Sequence, residues 1–232
     1  RLSDLLYSLS EIKSLERIRY TTSHPKDFTE DLVQAHAECK KLMPLLHLPV
    51  QSGSTKILKN MNRNHTIEEY LEIIKSLKEK KPSIKFSSDF IIAYPSETNN
   101  DFEKTLSLMK KVKFINSYSF IFSARPGTPA ANLKKIDDKI ARERLRIFQL
   151  SATEIKKNYR KELVNSNANV LFENNAKNSN RYFGRDEYFN SVIVNSNENL
   201  IGEIRRVKIN SCNQNTLFGE INLEDTKKVY AA

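Results

Sequence analysis

The sequence predicts an α/β domain followed by a small all-β barrel. Three observations carry that expectation. Helical and strand periods alternate over the first 120 residues, a long Arg/Lys-rich helical stretch follows, and beyond it short β-type runs appear in an asparagine-rich background. Alternation at this spacing implies parallel strands with crossover helices, hence an α/β barrel or an open sheet. The divisions fall at residues 1–132 for the α/β part, 133–164 for a basic connecting helix and 165–225 for the β-barrel.

In chain order, Leu2, Leu5, Leu6, Leu9 and Ile12 form a helical stripe over residues 1–14. Arg17–Thr22 reads as a short strand, ended by Ser23-His24-Pro25, and Asp27–Lys41 returns to helix. Leu45–Val50 is a compact apolar strand closed by Gln51-Ser52-Gly53-Ser54, with a helix starting near Ser54. Thr66 followed by Glu69 is a capping-box pattern, opening a helix that Pro82 breaks. Ile84–Tyr94 is the next strand, Asp101–Lys111 a helix and Ile115–Phe122 a strand ended by Pro126, Gly127 and Pro129. Residues 137–164 form a long helix whose apolar positions read as Ile140, Leu145, Phe148, Leu150 and Ile155. Residues 165–215 contain fourteen Asn, with β-type runs at Ala168–Phe172, Tyr188–Val194, Glu203–Ile209 and Thr216–Ile221.

Bulk properties exclude several classes. Of 232 residues, 39% are hydrophobic and 28% charged, a globular balance with enough apolar material for a core. No apolar run approaches the roughly 20 residues that span a bilayer, and the acid-bearing start does not resemble a signal peptide. No membrane partner is expected. Cys39 and Cys212 lie far apart, which suits two buried or incidental thiols in a reducing cytoplasm and supplies no clustered metal ligands. The net charge of +10 is concentrated in the first two-thirds of the chain. A basic surface suits a polyanionic partner, although many basic proteins never touch nucleic acid.

In α/β folds chemistry sits on the loops that follow the strands. That draws attention to Ser23-His24-Pro25, Pro49–Ser54, Ala93–Thr98 and Ser123–Pro129. The Gln51–Ser54 turn suits a backbone lying close to a ligand; His47 alone is more often a hydrogen-bonded core residue than an acid–base group. Asp89 inside an apolar strand should hydrogen-bond to something specific, either a neighbouring loop or a ligand. Arg125 at a strand end fits a bidentate carboxylate or phosphate contact and an ordinary rim salt bridge equally. From spacing alone no catalytic residue can be named.

Taken together, Thr22–Pro25, His47–Ser54, Met61–Arg63, Ser88–Ile91, Glu97-Thr98 and Ser119–Ala130 occur in an order that resembles the radical-SAM methylthiotransferase family, and most closely its tRNA-modifying branch. Val170–Glu173, Gly184-Arg185, Tyr188–Asn190, Gly202-Glu203 and Leu217–Glu220 resemble the TRAM domain, a small RNA-binding β-barrel. The resemblance implies the back part of a partial (β/α) barrel followed by that domain. It implies S-adenosyl-L-methionine as cofactor, with two [4Fe-4S] clusters in the intact protein. The family's CxxxCxxC triad is absent from these residues and is expected to precede Arg1, so the chain reads as a fragment that is inactive alone. In the family a 5′-deoxyadenosyl radical abstracts hydrogen from C2 of an adenine, a second cluster supplies sulfur and a second S-adenosylmethionine the methyl. The implied substrate is N6-isopentenyladenosine beside the anticodon.

Carried over by position, Ser23, Gln51 and Ser52 fall near the amino-acid moiety of the cofactor, Asp89 and Ile91 along the next strand, and Phe122, Ser123 and Arg125 near its adenine. Arg63 is a candidate for phosphate or the cofactor carboxylate, and Arg185, Tyr188 and Arg205 are candidates for RNA contact. The expected partners are the tRNA anticodon stem-loop, an electron donor and a sulfur source, for a monomeric, cytoplasmic parent. Two other readings remain: a methylthiotransferase acting on an aspartate of a ribosomal protein, and a non-catalytic RNA-binding fragment. The family's loop glycines are replaced by Ala93 and Ser96.

Overall fold

The computed structural model describes residues 1–21, 24–176, 180–221 and, by backbone, 229–230. The chain divides into two compact units. One, here the sheet unit, comprises Tyr20–Ala37 and Leu46–Lys156; the other, the barrel unit, comprises Arg1–Arg19, Glu38–Leu45 and Lys157–Ala232.

The sheet unit is built on three strands in the order β1 (Leu45–His47), β2 (Lys85–Ile92) and β3 (Asn116–Ile121), with β2 and β3 parallel as the alternation requires. Helix α1 (Leu2–Ser10) belongs to the barrel unit; here α2 (Glu30–Glu38), α3 (Thr55–Asn60), α4 (Ile67–Lys80) and α5 (Asn99–Val112) join the strands. Phe86, Ser88, Phe90 and Ile92 point to one face of β2 and are buried. There Phe90 packs against Phe114 and Phe148 at ring distances of 5.5 and 4.7 Å. The opposite face is open: Tyr118 and Phe120 of β3 are 53% and 60% exposed.

Capping chemistry sets the helix starts. The Thr66–Glu69 box closes reciprocally at α4, and Thr98 with Asp101 forms a second box at α5. Gly53 admits no side chain, because a Cβ there would lie 2.4 Å from the Thr105 Cα in α5. Its N–H donates to Thr105 Oγ1 at 2.9 Å. The close approach read from that glycine is therefore to a helix backbone.

Several elements differ from the expectation. The Arg17–Thr22 run makes only single bridges, Ile18 to Leu42 and Thr21 to His47, and Thr22 lies outside the described residues. The strand at Leu45 is regular for three residues; Leu48 N still donates to Ser87 O at 2.9 Å, and the next backbone bond to β2 comes only from Gln51 N to Asp89 O. Ser88 Oγ takes over there, accepting from Val50 N at 2.9 Å and donating to Leu48 O at 2.8 Å. Regular α2 is shorter than Asp27–Lys41, being preceded by a 3-10 turn at Pro25–Asp27.

The long helix α6 (Asp138–Glu162) is present and Phe148 is buried as expected, together with Ala141, Arg144, Tyr159 and Arg160, but Ile140 and Leu150 are 48% and 58% exposed. The expected positions 140, 145 and 150 recur every five residues, which no helix face follows.

In the barrel unit, β4 (Asn167–Asn175), β5 (Arg181–Arg185), β6 (Ser191–Asn195), β8 (Thr216–Ile221) and β7 (Glu203–Cys212) pair in that order, and β4 pairs again with β7 to close the barrel. A short β9 (Val229–Tyr230) adds to β7. Val170, Phe172, Val192, Val194, Val207 and Leu217 fill the interior. Strand β5 was not anticipated, and a bulge interrupts β4 between Phe172 and Asn174. Among the described residues no helix is long and apolar enough to cross a membrane.

Candidate functional site

At the C-terminal ends of β2 and β3 the sheet unit opens a cleft of about 680 Å³. Its wall brings together Gln51, Arg63, Asp89, Ile91, Phe122, Ser123 and Arg125. Met61, Asn62 and Tyr94 line it too, and spacing had not singled these out as site residues. A volume in this range suits a small organic ligand.

Each side chain reaches the cleft for a local reason. Gln51 sits at φ 73° and is stitched to β2 on both sides, its N–H donating to Asp89 O and its carbonyl accepting from Ile91 N, both at 2.9 Å. Its amide makes no side-chain hydrogen bond among the described residues and faces the cleft. Asp89 stands on the open face of β2, its side chain 34% exposed, with Oδ2 3.5 Å from His47 Nε2. His47 Nδ1 in turn lies 3.0 Å from Ser87 Oγ. Asp89 is thus half-exposed and not enclosed as its apolar strand suggested, and its contact with His47 stands at the edge of hydrogen-bond range.

Phe122 follows β3, its N–H donating to Ile92 O at 2.9 Å and its ring meeting Tyr94 edge-on at 4.9 Å. Tyr94 donates to Asn60 O at 2.7 Å, and burial pushes its phenol up. Arg125 opens a turn closed by Thr128, which donates to Arg125 O through Oγ1 at 2.7 Å, with Gly127 at φ 79°. Neither Arg63 nor Arg125 forms an ion pair among the described residues.

Ser52 is placed differently. It is 1% exposed and accepts from Ser54 N at 3.2 Å, so its hydroxyl braces the turn and does not line the cleft. Ser23 lies outside the described residues.

Two buried networks hold the rim. Arg144 reaches from α6 to donate to Glu97 Oε1 at 2.8 Å, Glu97 O at 3.0 Å and Asn99 Oδ1 at 2.7 Å. Glu97 Oε1 also accepts from Ala93 N at 3.2 Å. Burial pushes the Glu97 carboxyl up, and the Arg144 charge opposes the rise. In the other network Asp101 accepts from Ser54 Oγ at 2.7 Å, Lys56 Nζ at 2.9 Å and Thr98 Oγ1 at 2.7 Å. Burial alone would raise this carboxyl, but the hydrogen bonds from Thr98, Ser54 and Lys56 outweigh it and hold it well below the usual carboxylate range. Sequence reasoning missed Arg144. Its signal was an arginine between Ala141 and Phe148 at helical spacing.

The barrel unit separates the three RNA candidates. Register sets Arg205 opposite interior Val170, and Arg185 opposite Leu171 on the outer face. Arg205 is held by Glu203 at 2.9 Å and its side chain is 11% exposed. The Tyr188 ring packs edge-on against Tyr159 at 6.4 Å. Arg185 stays at the surface, with its guanidinium carbon 4.1 Å from the Phe189 ring centre. Cys39 is buried and Cys212 half-buried, both as free thiols.

One unit carries a strand-end cleft in an α/β sheet and the other a closed five-stranded barrel, and each segment has a match among known families. Residues 2–109 match the radical SAM superfamily and residues 161–221 the TRAM domain. The chain is 56% identical over 231 residues to the protein named tRNA-2-methylthio-N(6)-dimethylallyladenosine synthase of Pelagibacter ubique (strain HTCC1062), covering 99% of this chain and 51% of that one. Proteins of the same name from Ruegeria sp. (strain TM1040) and Rickettsia felis (strain ATCC VR-1525 / URRWXCal2) are 45% and 47% identical, each covering 95% of this chain and 50% of the relative. The chain spans about half the length of these curated relatives.

Proposed function

We propose that this chain forms the cofactor wall and the RNA-binding barrel of an enzyme that methylthiolates C2 of N6-isopentenyladenosine beside the anticodon of tRNA. The observation that carries the reading is the 56% identity to a protein of that name over 231 residues, with the strand-end cleft falling inside the aligned segment.

The cleft fits S-adenosylmethionine in its donor set. Arg63 and Arg125 offer guanidinium groups to a carboxylate without first breaking an ion pair. Asp89 offers a half-exposed carboxylate to a ribose hydroxyl or an ammonium. Ile91, Tyr94 and Phe122 give apolar and aromatic surface for an adenine. When bound, S-adenosylmethionine supplies the radical and methyl-transfer chemistry that protein side chains lack. This chain's residues bind and orient it and shield one side from water. Iron–sulfur clusters do not fit here: among the described residues no group of three potential ligands gathers. The two [4Fe-4S] clusters, the electron donor and the sulfur source belong to the rest of a monomeric cytoplasmic enzyme.

The cofactor part is tested by equilibrium dialysis of radiolabelled S-adenosylmethionine against the chain. Binding that weakens by at least about tenfold in Arg63→Gln or Arg125→Gln is expected, since a charge-assisted pair contributes roughly 1.5–3 kcal/mol. Wild-type affinity in both variants would overturn the assignment. The substrate is tested with the full-length enzyme, purified anaerobically and reconstituted with iron and sulfide. It should convert isopentenyladenosine in tRNA to the 2-methylthio nucleoside; modification of a ribosomal protein instead would overturn that reading.

A further inference from the structure

We propose that the turn at residues 186–190 is a docking point for one unstacked base of single-stranded RNA, with Phe189 as the stacking ring and Arg19 and Arg185 as the phosphate donors. The proposal rests on the RNA-binding reading of the barrel and gives it a place and a chemistry.

The first observation is backbone strain. Phe189 sits at φ 63°, in the left-handed region, which costs a non-glycine residue about 1–2 kcal/mol. Asparagine or glycine would occupy it with less strain. The ring does not recover that cost by filling the barrel, because it is 46% exposed and outside the interior cluster. The turn also cannot relax. Asp186 is 1% exposed, and its carboxylate accepts from Tyr188 N at 2.9 Å, Asn190 N at 2.8 Å and Asn190 Nδ2 at 2.8 Å. Phe189 N–H donates back to Asp186 O at 3.1 Å. An aromatic ring held outward against a backbone penalty is the pattern of a ligand clamp.

The second observation is the charge around that ring. The Arg185 guanidinium carbon lies 4.1 Å and that of Arg19 5.1 Å from its centre. Arg19 is anchored through Nη2 to Asp186 O at 2.8 Å and Glu187 O at 2.9 Å, while Arg17 holds Arg185 O and Asn169 O. Arg19 Nε and Nη1 and Arg185 Nη2 make no hydrogen bond among the described residues. The nearby carboxylates are engaged: Glu187 accepts from Asn169 Nδ2 at 2.6 Å, and Glu173 faces Arg185 Nε at 3.6 Å. Burial above all, and after it the neighbouring Arg17, push Arg19 down to about 10; an anion bound beside it would favour its charged form.

Chemistry then selects the occupant. Inorganic phosphate or an acidic peptide would use the arginines and leave the ring idle. A nucleotide uses both, its base stacking on aromatic and guanidinium planes and its phosphate taking the spare N–H groups.

The test uses the full chain with a short single-stranded RNA carrying 2-aminopurine, whose fluorescence is quenched on stacking, and with whole tRNA in filter binding. Phe189→Asn suits the left-handed backbone and should fold at least as well as the parent; Phe189→Leu keeps apolar bulk without a ring. Both should weaken single-stranded RNA binding about tenfold and abolish the quench. Arg19→Gln should keep the quench and lower the salt slope of binding by about one. Parental affinity and full quench in both Phe189 variants, with tRNA still bound, would overturn the stacking site while leaving RNA binding intact. Failure of the parent to bind any RNA would overturn both. Competition by polyglutamate as effective as by RNA would reduce the site to plain electrostatics and overturn the proposal.

Discussion

Replacing Arg144 by methionine isolates the buried ion pair behind the cleft. The guanidinium makes three charge-assisted contacts, to Glu97 Oε1 at 2.8 Å, Glu97 O at 3.0 Å and Asn99 Oδ1 at 2.7 Å. The two side chains are only 9% and 1% exposed. Methionine keeps much of the aliphatic volume but leaves the carboxylate with Ala93 N–H as its remaining donor among the described residues. Breaking a buried pair from one side costs roughly 3–5 kcal/mol. The sign of the pH dependence follows. Burial already pushes Glu97 up with Arg144 opposing it, so removing Arg144 leaves the rise unopposed. A carboxyl whose folded pKa exceeds its unfolded one penalises folding most above the folded value, and the penalty fades as pH falls through it. Urea unfolding followed by circular dichroism should therefore show the full deficit at pH 7 and a smaller one near pH ~5. Glu97→Gln added to Arg144→Met should recover part of the loss at pH 7. A deficit below about 1 kcal/mol at pH 7, or one equal at both pH values, would refute a pair held by burial.

Gly53→Ala drives a Cβ to 2.4 Å from the Thr105 Cα and 2.6 Å from Lys104 O; a loss of about 1–3 kcal/mol is expected in denaturant melts, and an unchanged midpoint would mean that α5 backs away freely. Ser96→Gly removes the Cβ that is strained at a left-handed φ of 73°, together with an exposed hydrogen bond from Asn60 Nδ2 at 2.9 Å. Relief of about 1 kcal/mol should exceed the bond's roughly 0.5, a small rise in melting temperature that Ser96→Ala does not share. Asp101, held low, contributes stability that is complete above its usual value of 3.8 and is lost as pH falls through its folded pKa. Asp101→Asn should cost roughly 1–3 kcal/mol at pH 7, with the gap to wild type narrowing below pH ~4.

What could be read in advance was whatever short-range chemistry decides. The Thr66–Glu69 box is a four-residue event and falls where the pattern places it. Alternating periods gave parallel β2 and β3 and the long basic helix. Features set by long-range packing could not be read. Arg17–Thr22 has strand composition, yet among its described residues only Ile18 and Thr21 find bridge partners. Arg144 looks like one more surface cation until Glu97, 47 residues away, is folded beside it. Ser52 shares a motif with Gln51, but the φ of 73° at Gln51 turns the next side chain into the unit, where it braces Ser54. Arg185 and Arg205 look equivalent in sequence, and only β4, pairing with both of their strands, sends one outward and the other inward.

Of the sheet unit's described non-glycine residues at positive φ, Lys113 caps α5 and the others cluster at the strand-end rim. Gln51, Asn62, Ala93 and Ser96 all take positive φ without being glycine, each at a cost of about 1–2 kcal/mol when the side chain carries a Cβ. Asparagine bears it most easily, which leaves Gln51, Ala93 and Ser96 as the strained positions. Each is pinned by a bond of its own: Gln51 by both neighbours on β2, Ala93 through its N–H to Glu97, and Ser96 through Asn60. The Glu97–Arg144 pair therefore stabilises the unit and also fixes the backbone that carries Tyr94 into the cleft. Stability and binding should then fall together when Arg144 is replaced, although it lies outside the cleft wall. A loss of stability with unchanged S-adenosylmethionine affinity would separate the two and show that the loop keeps its shape by other means.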